Sequence, residues 1–377
     1  MKEVTQRSNF RIYLNKTQIS LFERTVGCSR FIWNKHVENF NSKENVKDLT
    51  IKDLKSKYKF LEEVPYNALE QVLQDWNQTK KQFFNKSRKT KLGRPKFKSK
   101  RNSNQTFRVT YNGFSLKKGF LSISKFGRIK IKGLEEVLTL TNITSATLIK
   151  KPSGKFYVSF VHKSFKEEKQ KTGKSIGIDL GLTHFIIDNQ GNKVENPRFY
   201  RKAENRLKVL QRSLSKKKKG SNRYKRAQIK LAKLHEKVSN QRSNFLHNIV
   251  NKIINDYDSI YVEKLSVKNM VKNRSLAKSI IDASWSKFVS ILEYKAEWYD
   301  KSVHKIHRYF ASSKTCSNCG FQKDKLDLSI REWQCPDCET LHDRDINAAK
   351  NILKRGIFEQ NQMGSCKTYL KKSNDEN

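Results

Sequence analysis

Acidic residues are scarce in this chain: 36 Asp and Glu stand against 79 Lys and Arg, a formal net charge of +43 over 377 residues. Solubility needs far less, and such a balance favours a polyanionic partner, nucleic acid first, held through phosphate contacts and counterion release. Long apolar runs are missing too. The N-terminus MKEVTQRSNF carries no signal-like hydrophobic stretch, and no segment approaches the roughly 18 consecutive apolar residues that a membrane span needs. These lacks point to a soluble intracellular protein without a membrane partner. Six cysteines are too few and too clustered for a secreted disulfide framework, which fits a reducing compartment. Hydrophobic residues at 36% and aromatics at 11% exclude a merely basic tail, and the length suggests two or three domains.

What is present changes texture along the chain. NFRIYLN reads as a strand, followed by a helix with Ile19, Phe22, Val26, Phe31 and Ile32 at near-helical spacing, and YNALEQVLQDWNQTKKQFFNK as a second helix. Lys80 to Arg101 then holds eleven basic residues and no acid, and its Gly93, Pro95 and Phe97 interruptions suit an extended chain tracking a phosphate backbone. Arg94, Lys96 and Lys98 are the candidate contacts there. From about 105 to 163 the pattern alternates between apolar and polar residues, punctuated by Gly and Asn, as in antiparallel strands of a small barrel or sandwich. After the polar linker KSFKEEKQKTGK, SIGIDLGLTHFIIDNQGNKV reads as two strands with a kink at Gly181 and a turn over Asp188 to Asn192. Residues 201 to 242 carry sixteen Lys or Arg and two acids, a basic helical hairpin broken near Gly220. With so few acids for pairing, Lys217, Lys218, Lys219, Arg223 and Lys225 are candidates to meet an external anion. After Gly356 the polar remainder is expected to be disordered.

Two sets of residues carry chemistry. Cys316, Cys319, Cys335 and Cys338 form C-x2-C-x15-C-x2-C, the spacing of a four-thiolate zinc ribbon, in which each close pair supplies two tetrahedral ligands and no position stays open for substrate. Cys28, in an apolar helical stretch, reads as a core residue, and Cys366 stands alone. The second set is acidic. Asp179 lies in the middle of the apolar strand GIDLGL, Glu263 ends DSIYVEKL, and Asp345 opens the helix DINAAKNIL, where Ala348 and Ala349 permit close packing against a sheet. A buried carboxylate needs a salt bridge or a metal. Three acids at the edges of apolar elements could converge on two divalent metals about 3.5 to 4 Å apart, as in phosphodiester hydrolysis.

In order along the chain, GCSRFIWN, GRPKFKSK, GIDLGLTHF, the basic hairpin to NFLHNIV, YVEKLSVKNM, SWSKFVSILEYKAEW, FASSKTCSNCG and CPDCETLHDRDINAAKNI resemble the TnpB family of transposon-encoded RNA-guided DNA nucleases, relatives of type V CRISPR effectors. The resemblance reaches nearly to Gly356. It implies a multi-domain α+β fold. A RuvC-like nuclease domain of the RNase H fold (171–310 and 340–356) would be interrupted by a zinc ribbon (311–339). A wedge β-barrel domain (1–13 and 105–170) would carry an inserted helical recognition domain (14–104), and 357–377 would be a disordered tail. Asp179, Glu263 and Asp345 match the family's catalytic carboxylates, with Asp343 the near alternative and the D-x-N pattern of Asp345 and Asn347 favouring the later acid. The implied cofactors are structural zinc and catalytic magnesium, two ions by expectation. The implied partners are a guide RNA from the transposon end and double-stranded target DNA in the bacterial cytoplasm and nucleoid, with oligomeric state open. A nuclease-inactive RNA-guided repressor and a strand-joining transposase are the alternatives. Two departures stand out: Glu339 follows the last cysteine where the family has Gly, and LNKTQ replaces a proline-containing turn.

Overall fold

The computed structural model describes residues 1–42, 49–88, 90, 92–100, 105–117, 120–307, 310–327 and 329–372, with the side chains of Leu134 and of 363–372 outside the description. The chain divides into two compact units. One comprises Glu3–Phe165 with Lys217–Lys233, the other Met1–Lys2, Lys166–Lys216 and Leu234–Asn377.

In the Glu3–Phe165 unit, strand β1 (Lys2–Tyr13) leads into helices α1 (Lys16–Asn41), α2 (Ile51–Lys57) and α3 (Tyr66–Phe84), then β2 (Gln105–Thr110), β3 (Phe114–Lys117), β4 (Phe120–Ile123), β5 (Gly127–Ile131), the short α4 (Leu134–Leu138), β6 (Thr141–Lys150) and β7 (Phe156–Lys166). The strands form a seven-stranded sheet in the order β2-β6-β7-β1-β5-β4-β3, so β1 joins two antiparallel ribbons distant in sequence. The departure at LNKTQ has a local answer. Asn15 and Gln18 form a reciprocal capping box that starts α1, and the Gln18 amide donates onward to the carbonyls of Phe126 and Arg128, both at 2.9 Å. The helices and the sheet, expected as separate domains, share one apolar core. Phe22 and Ile32 of α1 and Leu69 of α3 are buried in the same cluster as Phe107, Ile129 and Phe160 of the sheet.

The other unit contains β8 (Ser175–Asp179), β9 (His184–Asp188), β10 (Lys193–Glu195), α5 (Phe199–Ser215), α6 (Asn222–Asp256), β11 (Ser259–Glu263), α7 (Val267–Met270), α8 (Arg274–Ala283), α9 (Trp285–Trp298), β12 (Ser302–Ile306), the hairpin strands β13 (Glu332–Gln334) and β14 (Leu341–Asp343), and α10 (Arg344–Lys372). The division between units falls within α6, after Lys233. The five-stranded sheet runs β10-β9-β8-β11-β12, antiparallel through β8 and parallel from β8 to β12. Strands β8 and β11 are apolar runs, Ile176–Ile178 and Ile260–Val262, as expected for central strands covered on both faces. One cover is the apolar stripe of α6 (Leu246, Val250, Ile254) with Phe288 and Leu292 of α9, all in the same cluster. The other is α10. A Cβ on Gly177 would stand 2.3 Å from the Ala349 carbonyl oxygen, and one on Gly356 2.1 Å from Tyr261 Cδ1, so two glycines set how closely helix and sheet approach.

The expected break near Gly220 is present, with φ at 85° between α5 and α6. Two expectations change. Asp179 is the last residue of β8 rather than mid-strand. Residues 357–372, expected to be disordered, continue α10, anchored where Gly356 packs on Tyr261 and the Tyr261 hydroxyl donates to Gln360. Residues 373–377 of that tail, and the Cys366 side chain, lie outside the described residues.

Candidate active site and zinc centre

Strand register brings the acids together. Ile178 of β8 pairs with Val262 of the parallel β11, so the next residue of each strand, Asp179 and Glu263, emerges at the same carboxyl-terminal edge. Helix α10 crosses beneath and places Asp345, its second residue, at that edge. All three line one cavity of about 540 Å³, with Lys314, Arg331 and Arg344 as cationic neighbours and Trp285 and Phe310 among its apolar walls. Asp179 is half-buried, and burial together with the charges of Asp345 and Glu263 pushes its carboxyl up to about 7. Burial also raises Glu263. Asp179 thus sits where its charge is resisted, beside two further carboxylates on one cavity, a donor set suited to a divalent cation. They are less tightly drawn than the thiols: among the described residues, only the four cysteines form a group whose ligand atoms all lie within 4.8 Å.

The two aspartates of HDRD separate by their partners. Asp343 Oδ1 accepts from the backbone N–H groups of Asp345 (2.9 Å) and Ile346 (3.1 Å), capping α10, while its Oδ2 lies 2.7 Å from Lys193 Nζ. Its burial would raise its pKa, but these contacts outweigh that and hold it below the usual range. Among the described residues the Asp345 carboxylate pairs with the Arg331 guanidinium alone, 3.4 Å away and largely exposed, and it faces the cavity. Asn347, whose spacing suggested Asp345, is outside the cavity lining. Its Oδ1 accepts from Ser317 N–H at 2.8 Å and its amide donates to the Thr315 carbonyl at 2.7 Å. Asn351, one turn on, donates to the Thr315 and Ser312 carbonyls at 2.6 and 2.8 Å, so the pair fastens α10 to the ribbon. Arg331 escaped the sequence reading. Its signal is faint: it is the one arginine between the two cysteine pairs, fourteen residues from its partner.

The thiols close the second site. Sγ atoms of Cys316 and Cys338 lie 3.6 Å apart, as do those of Cys319 and Cys335, near the roughly 3.8 Å edge of a tetrahedron with Zn–S bonds of about 2.3 Å. The set therefore fits zinc. His342 Nε2 stands 3.0 Å from Cys316 Sγ and the Asn318 N–H donates to the same sulfur at 3.4 Å, so outer groups orient this ligand. Glu339 adopts a left-handed φ of 56°, which shows why glycine suits this place. Cys28 is buried in the core, as expected.

The candidate phosphate contacts divide. Arg94, Lys96, Lys218, Lys219, Arg223 and Lys225 are exposed, and Lys217 is half-buried. Lys98 is exposed as well, with its ammonium over the Trp33 ring, 3.6 Å from its centroid. No helix among the described residues is long and apolar enough to cross a membrane.

Comparison with known proteins places the chain in a family. The family described as "Probable transposase" (OrfB of the IS605 type) matches residues 155–274, the "Cas12f1-like, TNB domain" matches 285–352, and a "Helix-turn-helix domain" matches 1–41. The last stretch is here β1 followed by the single helix α1. A "Putative RNA-guided DNA endonuclease" of Streptomyces pristinaespiralis is 32% identical over 369 residues, covering 95% of this chain and 90% of its own. The "Putative RNA-guided DNA endonuclease InsQ" of Escherichia coli K12 is 25% identical, covering 93% and 92%. Among solved structures, a Cas12f1 complex with guide RNA and target DNA covers 93% of this chain and 99% of its own at 14% identity and a TM-score of 0.37.

Proposed function

Because the chain belongs to the TnpB family, we propose that it is an RNA-guided endonuclease that hydrolyses phosphodiester bonds of guide-matched double-stranded DNA beside a short flanking motif. The observation that carries the reading is the convergence of Asp179, Glu263 and Asp345 on one cavity at the carboxyl edge of a mixed five-stranded sheet. In this reading these carboxylates hold magnesium, two ions by expectation, which when bound activates water and stabilises the leaving oxygen. Arg331, 3.4 Å from Asp345 and largely exposed at the cavity, would offer its planar fork of donors to the scissile phosphate. Asp343 sets the start of α10 and so aims Asp345 without touching substrate. The cysteines hold zinc structurally and fix the hairpin that carries Arg331.

The basic surfaces hold the guide RNA, expected from the transposon end, and its duplex with target DNA, through phosphates rather than base sequence. The net charge of +43 supports this. The test is to sequence RNA that co-purifies with the protein and to offer matched linear DNA with magnesium. A defined RNA species and cleavage confined to matched DNA are expected. Heterogeneous RNA with no matched cleavage would overturn the proposal, and matched binding without cleavage would replace it by a guided repressor.

A further inference from the structure

We infer that Phe97 is a wedge that parts the strands of the target DNA duplex, an inference that rests on the guided reading above. Phe97 is 60% exposed, and single exposed apolar side chains are ordinary on protein surfaces. What distinguishes this one is its backbone. On one side the Trp33 indole N–H donates to the Lys96 carbonyl at 3.0 Å. On the other, Asn34 clamps Lys98 twice, accepting from its N–H at 2.7 Å and donating to its carbonyl at 3.1 Å. The Lys98 ammonium then closes over the Trp33 ring. Trp33 is itself 8% exposed and packed edge-on against Trp76, with centroids 5.5 Å apart. An otherwise irregular loop is thus pinned to α1 on both sides of one residue, and the side chain between the pins points an aromatic ring outward.

The surroundings state the partner. Arg94, Lys96 and Lys100, in the same acid-free segment, are exposed, so the ring is carried among cations that attract phosphates. Phe84 of the same segment is also exposed, at 62%, but its ring packs against those of Phe40 and Phe83, so Phe97 is the aromatic held by its backbone alone. A rigid apolar side chain among cations suits insertion into a base step, which unstacks and kinks a duplex. Guide pairing cannot begin until the target strands separate. A ring fixed before the encounter meets that need without ordering cost at the moment of insertion.

The experiment uses the full protein with its co-purified guide, in an Asp345→Ala background, and a matched duplex carrying 2-aminopurine in the displaced strand. Strand opening is read as the rise in fluorescence. With wild-type Phe97 the duplex opens, and absence of opening there would sink the guided reading itself. Phe97→Ala is expected to open the paired duplex about tenfold more slowly or worse, to retain the same amount of RNA, and to match wild type on a target with a pre-unpaired bubble. Phe97→Tyr, which keeps the ring, should retain most of the rate. Equal opening by wild type and Phe97→Ala overturns the wedge alone. Slowing on paired and bubble targets alike, or loss of RNA, also overturns it, because the ring would then serve RNA binding or the fold.

Discussion

Replacing Asp179 by Asn removes a charge that its neighbours resist, and without magnesium this should stabilise the protein. The rise from the usual 3.8 to about 7 corresponds to roughly 4 kcal/mol at alkaline pH. Because the cavity is open to solvent, half of that, about 2 kcal/mol, is the working expectation. The sign follows from proton counts. Between about pH 4 and 7 the folded protein holds a proton on Asp179 that the unfolded chain has lost, so stability falls as pH rises through this window and the full penalty is present above it. Thermal melting in magnesium-free buffer that leaves zinc bound should therefore show Asp179→Asn melting about 5 °C higher than wild type at pH 8. At pH 4 the two should converge.

Magnesium supplies the second arm. Millimolar Mg2+ at pH 8 should raise the wild-type midpoint by relieving the same repulsion, and should do much less for Asp179→Asn, which has lost a ligand. If Asp179→Asn is no more stable than wild type at pH 8, or if its advantage is the same at pH 4, the three carboxylates do not crowd one another and the reasoning from the cavity fails.

The acids and thiols were legible because their logic is local. A charged residue closing an apolar run, and two C-x2-C pairs, announce themselves whatever the tertiary structure does. Even so, the choice of Asp345 rested on Asn347, which holds the ribbon backbone instead. What separates Asp343 from Asp345 is the capping of α10 and Lys193, a partner 150 residues away that no spacing rule reaches. Arg331 was missed for the same reason, since its meaning depends on a hairpin folding over α10. That Trp33 lies beneath the Lys98 ammonium was not legible, because composition counts cations without their neighbours. The helix beyond Gly356 was lost because a polar segment looks unable to bury anything, whereas a glycine against Tyr261 continues the packing begun at Ala349.

Asp345→Ala should abolish magnesium-dependent cleavage while sparing guided binding, whereas Asp343→Ala should cost about 1–2 kcal/mol in stability and keep cleavage at permissive temperature. The reverse pattern in a plasmid cleavage assay would place the third ligand at Asp343. Cys316→Ser and Cys335→Ser should each lower zinc content by elemental analysis, and unchanged stoichiometry in both would remove the metal from the ribbon. Charge reversal at Lys217, Lys218 and Lys219 should weaken RNA binding and flatten its salt dependence by about one unit of log–log slope for each phosphate no longer neutralised, and an unchanged slope would make them a solvated surface. Glu339→Gly reverses the usual expectation that glycine destabilises. At φ 56° a Cβ crowds the adjoining carbonyl, a strain of about 1 kcal/mol that glycine lacks, so the variant should resist zinc loss to a chelator more than wild type. The unfolded chain gains freedom from the same change and opposes the effect. Faster zinc release from Glu339→Gly would mean that entropy outweighs the relieved strain and that the glutamate side chain holds the turn after Cys338.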